Sequence, residues 1–109
     1  MADVLGAFEQ AVLVALVRLG RHAYGRAVLK EMRERLERDV AAGAVYATLD
    51  RLERKGLVAS HLATGTPIRD GRPRRYYDVT AAGVRALNDA RETIESIWRG
   101  LAWPVKAKA

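Results

Sequence analysis

Residues 41–57 read Ala-Ala-Gly-Ala-Val-Tyr-Ala-Thr-Leu-Asp-Arg-Leu-Glu-Arg-Lys-Gly-Leu, and their pattern decides how the rest of the chain is read. Val45, Leu49 and Leu52 recur at i, i+4 and i+7, the spacing of one apolar helical face. Lys55 falls in the last turn, where a cation suits the helix dipole, and Gly56 stands where a helix stops. The opposite face carries Gly43, Ala47, Asp50, Arg51 and Arg54, mixing very small residues with long cations. Small residues let a backbone come close to a surface, and arginines bind phosphates and guanine edges. Taken alone, the segment reads as an amphipathic core helix with a solvated charged face; its neighbours add the rest.

Upstream, Asp3 can cap a first helix, along which Leu5, Phe8, Val12, Leu13, Leu16 and Leu19 follow mostly at helical steps. Only Glu9, Gln10 and Arg18 are polar between Phe8 and Leu19, so this helix must be covered on more than one side. A second subunit would supply such cover. Gly20 closes the helix, and His22 to Gly25 form a short connection in which His22 reads as a surface residue. A second helix then runs to about Glu37, with Val28, Leu29, Met32 and Leu36 inward and the pairs Glu31–Arg35 and Glu34–Arg38 outward at i, i+4. Two helices joined by a short turn, the second small on its outer face, make a helix-turn-helix candidate.

Downstream of Gly56 the period changes. Leu57 to Leu62 is short and partly β-branched, as in a strand, and Arg74 to Val79 alternates as a second strand with Arg75, Tyr77 and Val79 on one face. Between them lies a stretch rich in turn formers that includes Asp70-Gly71. The pair predicts a β-hairpin wing. From Arg69 to Arg75 there are four arginines and one aspartate, a local charge of +3 in seven residues, which fits contact with phosphates or a minor groove.

Thr80 is placed to cap a final helix. Val84, Leu87, Ile94, Trp98 and Leu101 form an apolar seam that Ile97 widens and Arg91 interrupts. Pro104 disfavours helix at Trp103, so an end near Ala102 is expected, followed by a disordered basic tail. A seam this long lacks a partner inside a small domain. Pairing with a symmetry mate is economical, with Leu5, Phe8 and Val12 of the first helix and Leu87, Ile94, Ile97, Trp98 and Leu101 of the last as the expected dimer contacts. The fold expected is mainly α (α+β): a winged helix-turn-helix over residues 1–80, a dimerisation helix over 81–103 and a tail over 104–109.

The bulk numbers agree with one compact domain. The chain has 109 residues, half of them apolar, and no unbroken apolar run of membrane-spanning length or secretion signal, which fits a cytoplasmic address and no membrane partner. With no cysteine, disulfides, thiol catalysis and thiolate metal sites are excluded. Nineteen Lys and Arg against thirteen Asp and Glu leave a net charge of +6, which fits a polyanion partner. His22 and His61 are far apart, no nucleophile, nucleotide or metal motif occurs, and the carboxylates mostly lie in arginine-rich helices where pairing explains them. No enzyme activity, cofactor or metal site is expected.

In this order, several short segments resemble the PadR family of bacterial transcriptional regulators. The carriers are Leu5-Gly6, Tyr24-Gly25, Gly43-Ala44-Val45-Tyr46 running into Leu49 to Leu57, and Arg74 to Gly83, so the likeness spans Leu5 to about Leu101. The single terminal helix resembles the compact branch of that family. The resemblance implies a homodimer that represses promoters, with the recognition helix and wing on double-stranded DNA. It also implies terminal helices at the dimer interface, where some members take up small aromatic or hydrophobic effectors. By position it implies DNA contact at Gly43, Ala44, Tyr46 and Ala47, near Tyr24 and Gly25, and on the wing at Arg72, Arg74 and Arg75. The chain departs from the family pattern at Ala41 and Ala44, where hydroxyl residues are usual, which removes a cap and a polar group and makes Asp39 the expected cap. Arg51 is the candidate base reader, with an ion pair to a neighbouring carboxylate as the alternative. Trp98 is the candidate effector contact, with plain packing as the alternative. A winged-helix protein-interaction module and a sequence-independent DNA-packaging protein remain the competing functions.

Overall fold

The computed structural model describes residues 5–63 and 73–108. It contains, in order, α1 (Ala7–Leu19), a 3-10 turn (Gly20–His22), α2 (Gly25–Leu36), α3 (Ala42–Arg54), β1 (Val58–Leu62), β2 (Arg75–Val79) and α4 (Ala81–Trp98). The strands pair antiparallel with Val58 opposite Val79 and Leu62 opposite Arg75. This is the expected winged helix-turn-helix order. Asp3 and the wing residues Arg69 to Arg72 lie outside the described residues.

Helix α1 is the centre of the packing. Its Val12, Leu13, Ala15 and Leu16 are buried against Val28 and Met32 of α2, Val45, Leu49 and Leu52 of α3, and the sheet residues Val58 and Tyr77. Most of its apolar surface is covered by α2, α3, β2 and α4 of its own subunit, while Val14 and Val17 stay 38% and 57% exposed. Leu5 and Val12, expected at a dimer interface, are therefore moved to the core, where they are 4% and 0% exposed and have no side-chain surface left for a partner. Phe8 is half-buried and packs on the same core.

Local chemistry sets the boundaries of α2 and α3. Glu31 and Arg35 pair at 2.7 Å as expected, but Glu34 and Arg38 form no pair among the described residues. Glu37 takes left-handed backbone at φ 52° and carries Arg38 out of the helix. The turn into α3 is held by Arg33, whose Nε and Nη2 donate to the Val40 carbonyl at 3.1 and 3.0 Å. Ala41 occupies the cap position with no side-chain bond, so Asp39 does not cap α3.

Thr80 fastens α4 to the end of α3. Its Oγ1 accepts from the Gly83 N–H at 3.0 Å and donates to the Gly56 carbonyl at 2.8 Å, while its own N–H donates to the Leu57 carbonyl. Gly83 then lies directly on that carbonyl: a Cβ there would meet Leu57 O and come within 2.7 Å of Val79 Cγ1. Ala90 is the last buried residue of α4, and every residue from 91 to 100 is exposed. The helix stops at Trp98, earlier than expected. Arg99 (φ −57°, ψ 128°) and Gly100 (φ 87°) form a type II turn closed by Leu101 N–H to Trp98 O at 2.9 Å, a conformation that glycine adopts freely.

The seam divides in two. Leu87 is half-buried on the core, although Val84 one turn before it is 45% exposed. Ile94, Ile97, Trp98 and Leu101 are 46%, 64%, 38% and 62% exposed, far more than an apolar stripe of one subunit normally leaves open.

Candidate nucleic-acid interface

Helix α3 turns its apolar stripe inward and its small residues outward. Gly43, Ala47, Asp50 and Arg54 fall at i, i+4, i+7 and i+11, all exposed, with Ala44 exposed beside them. No atom lies within 4 Å of a Cβ built on Gly43, so the first turn of α3 presents bare backbone. Tyr46 is 39% exposed, and its ring rests on Gly25. A Cβ on Gly25 would run into that ring and stand 2.8 Å from the phenolic oxygen, which explains the glycine.

The segment before α2 is tied to the wing. Ala23 O accepts from Tyr77 N–H at 2.8 Å, and Tyr24 forms an antiparallel bridge with Tyr76, their rings edge to face at 5.7 Å. The Arg74 guanidinium lies 4.2 Å above the centre of the Tyr24 ring, a cation–π contact, and its side chain makes no hydrogen bond among the described residues. Tyr46, Gly25, Tyr24 and Arg74 thus form one continuous strip from α3 to the hairpin. Arg75 faces the other side of the hairpin, as strand alternation requires, where Nη1 donates to Ser60 Oγ at 2.9 Å and that hydroxyl donates to Glu53 at 2.7 Å. Arg72 lies outside the described residues. Sequence reasoning missed Arg26 and Lys30, which line a shallow groove with Tyr24 and Arg74. Their i, i+4 spacing immediately after Tyr24-Gly25 was the available signal.

Arg51 is placed differently from the base-reading expectation. Its Nε donates to Glu9 Oε2 at 3.3 Å and its Nη2 to Thr48 Oγ1 at 3.2 Å, turning it toward α1. Lys55 Nζ donates to the same Glu9 oxygen at 2.9 Å. The carboxylate partner is thus a buried residue 42 positions away, not a neighbour. Burial works to raise the Glu9 pKa, but hydrogen bonds from Lys55, the Gly6 N–H and Arg51 together outweigh it and hold the carboxyl below its ordinary value. A depressed carboxyl contributes stability that is present above the unfolded value and lost as pH falls through the folded one. Acid unfolding should therefore steepen below about pH 4.3. Glu9→Gln is expected to flatten that limb and to cost about 1–2 kcal/mol at neutral pH, a value discounted because both cations are substantially exposed. Thermal melts of both proteins from pH 3 to 7 check this, and identical pH slopes would contradict it.

His61 stacks on Tyr76 at 5.9 Å and lies 3.7 Å from Asp78 on the open side of the hairpin. Among the described residues, no three His, Asp or Glu side chains gather as metal ligands, and no helix is long and apolar enough to cross a membrane.

Comparison with known proteins agrees with this geometry. The model of the Transcriptional regulator PadR-like family matches residues 12–89, from the middle of α1 into α4. Transcriptional regulator Rv3488 of Mycobacterium tuberculosis is 42% identical over 60 residues, which are 55% of this chain and 52% of that protein, so the match spans about half the length of that relative. A PadR family transcriptional regulator from Eggerthella lenta superposes with TM-score 0.65 at 31% identity, covering 83% of this chain and 76% of that one. A transcriptional regulator from Clostridium thermocellum has the same fold, with TM-score 0.71 at 23% identity over 90% of this chain and 92% of its own. With the family model covering most of the chain, including the whole of α3 and both strands, this protein belongs to the PadR-like family of transcriptional regulators.

Proposed function

We propose that the chain is a homodimeric repressor that binds a palindromic promoter site. The observation that carries the dimer is an exposed apolar seam: Ile94, Ile97 and Trp98 project from the last turns of α4, where every residue is exposed, and Leu101 of the following turn continues them. Two such seams pack against each other about a two-fold axis, which the half-exposed Val14 and the more open Val17 of α1 extend. The same axis sets two α3 helices into successive major grooves, with half-sites roughly one helical turn, ~10 base pairs, apart. Gly43, Ala44 and Ala47 allow close approach to the groove floor, Tyr46 supplies a hydroxyl, and Tyr24, Arg74, Arg26 and Lys30 track the phosphates.

The wing supplies affinity more than sequence information. Arg74→Ala is expected to lower the salt dependence of binding by about one in the slope of log K against log salt for each phosphate that a guanidinium no longer neutralises. Operator and unrelated DNA should weaken together. Titrations across a salt series measure this, and an unchanged slope would remove Arg74 from the interface.

A small aromatic or hydrophobic effector is the proposed release signal, with Trp98 at the seam as its contact. A flat ligand stacked there would change the angle between subunits and displace both recognition helices from their half-sites. Titrating planar aromatic compounds should quench Trp98 fluorescence in a Trp103→Phe background. Absence of quenching across the series would leave Trp98 as packing.

A further inference from the structure

With Arg51 withdrawn to Glu9, the outer ridge of α3 needs another base reader. The ridge runs Gly43, Ala47, Asp50, Arg54, and its first two members carry no hydrogen-bonding side chain. The first side-chain polar atoms along it belong to Asp50. Nearby acids are engaged: Glu9 by Arg51 and Lys55, Glu53 by Ser60 Oγ, and Asp78 lies beside His61. Asp50 forms no hydrogen bond or ion pair among the described residues. Arg54 stands at i+4 from it, the spacing at which Glu31–Arg35 and Arg91–Glu95 close to 2.7 and 3.1 Å, yet this pair does not close. The buried Tyr77 phenol lies within reach of the Asp50 charge: its pKa is raised first by burial and next by Asp50, against the lowering effect of Arg75.

A carboxylate with no partner among the described residues, on the outer ridge of α3 in a protein with net charge +6, works against the phosphate attraction that the rest of the surface provides. It is favourable only opposite a hydrogen-bond donor on the groove floor. The major groove offers such donors at adenine N6 and cytosine N4; adenine's lies beside the N7 acceptor, which repels a carboxylate, so the better partner is the exocyclic N4 amino group of cytosine. We infer that Asp50 determines specificity by accepting a hydrogen bond from a cytosine N4 amino group in each half-site. This rests on the sequence-specific dimer proposed above. It assigns Arg51 to holding α3 on α1 and moves base reading to a neighbour on the exposed ridge.

The test is site selection from a random duplex pool by the purified full chain, by Asp50→Ala and by Asp50→Asn, followed by competition binding on the selected sites. Asp50 is exposed, so both variants keep the fold, and circular dichroism checks it. The wild type is expected to select one C·G pair at a fixed position in each half-site. Replacing that pair by T·A should weaken the wild type by roughly tenfold or more and Asp50→Ala by about twofold or less. Asp50→Asn should move the preference at that position to adenine, the base that asparagine reads. Affinity of Asp50→Ala for random DNA should stay level or rise. If both variants select the same bases as the wild type, Asp50 only repels phosphate and the inference is overturned, while the dimeric regulator stands. If the wild type itself selects no sequence, the regulator reading fails and this inference falls with it.

Discussion

The double substitution Ile94→Glu with Ile97→Glu is expected to turn a dimer into monomers and to weaken binding to a two-half-site operator by at least about a hundredfold. Each buried isoleucine contributes roughly 1.5–3 kcal/mol, and the two-fold doubles every change, so four apolar side chains leave the interface and four charges enter it. The subunit itself should hardly notice. Both positions lie beyond Ala90, where α4 has left the core, and are 46% and 64% exposed. The melting profile of the isolated fold should therefore change less than the association does. Light scattering coupled to size exclusion gives the mass, and a fluorescence titration gives the affinity. A variant that keeps the wild-type mass at micromolar concentration would contradict the assignment of the seam.

Gly83→Ala is expected to destabilise the protein by about 2–3 kcal/mol, lowering the melting temperature by on the order of 10 °C or more. In an ordinary helix the same change stabilises by about 1 kcal/mol, because glycine loses more backbone freedom on folding. Here the new Cβ would meet the Leu57 carbonyl oxygen, and backbone on both sides is pinned by Thr80. The clash cannot be relieved by turning a side chain. Gly43→Ala is the matched comparison, since its Cβ meets nothing within 4 Å. It should raise stability while narrowing the approach of α3 to DNA. Thermal melts of the two variants should move in opposite directions. Equal stability of Gly83→Ala and wild type would mean that α4 shifts freely against Leu57, and the fastening of α4 to the end of α3 would be wrong.

The elements whose periodicity is self-contained were legible in the sequence. Val45, Leu49 and Leu52 announce α3 because one face repeats without interruption, and Thr80 announces α4 because threonine is a favoured N-cap residue and an apolar seam follows it. The errors arise where a residue's partner is remote. Nothing near Arg51 in sequence shows that Glu9 holds it. The hint lay in α1, where one buried acid among apolar residues requires a cation from elsewhere. The same remoteness moved Leu5 and Val12. An over-apolar helix needs extra cover, but its sequence cannot say whether a second subunit or the rest of the same chain provides it. The early end of α4 at Trp98 was readable in principle from Gly100, whose positive φ stops the helix before Pro104 has any influence. Of the interface, the strip Tyr24, Gly25, Tyr46 and Arg74 was read as separate contacts. Only the fold showed that Tyr46 rests on Gly25 and that Arg74 covers Tyr24.

The measurement that bears most directly on the central claim is selection from a random pool of duplex DNA by the wild-type protein, with equilibrium titration of the winning site against unrelated DNA at one salt concentration. Enrichment of a palindrome with half-sites ~10 base pairs apart is expected, bound as one dimer per site and at least about a thousandfold more tightly than unrelated DNA. Enrichment of no sequence, with all DNA bound to within about tenfold, would contradict it and leave a packaging protein driven by its basic surface. No binding to any DNA would contradict it as well and turn the basic strip toward an acidic protein partner.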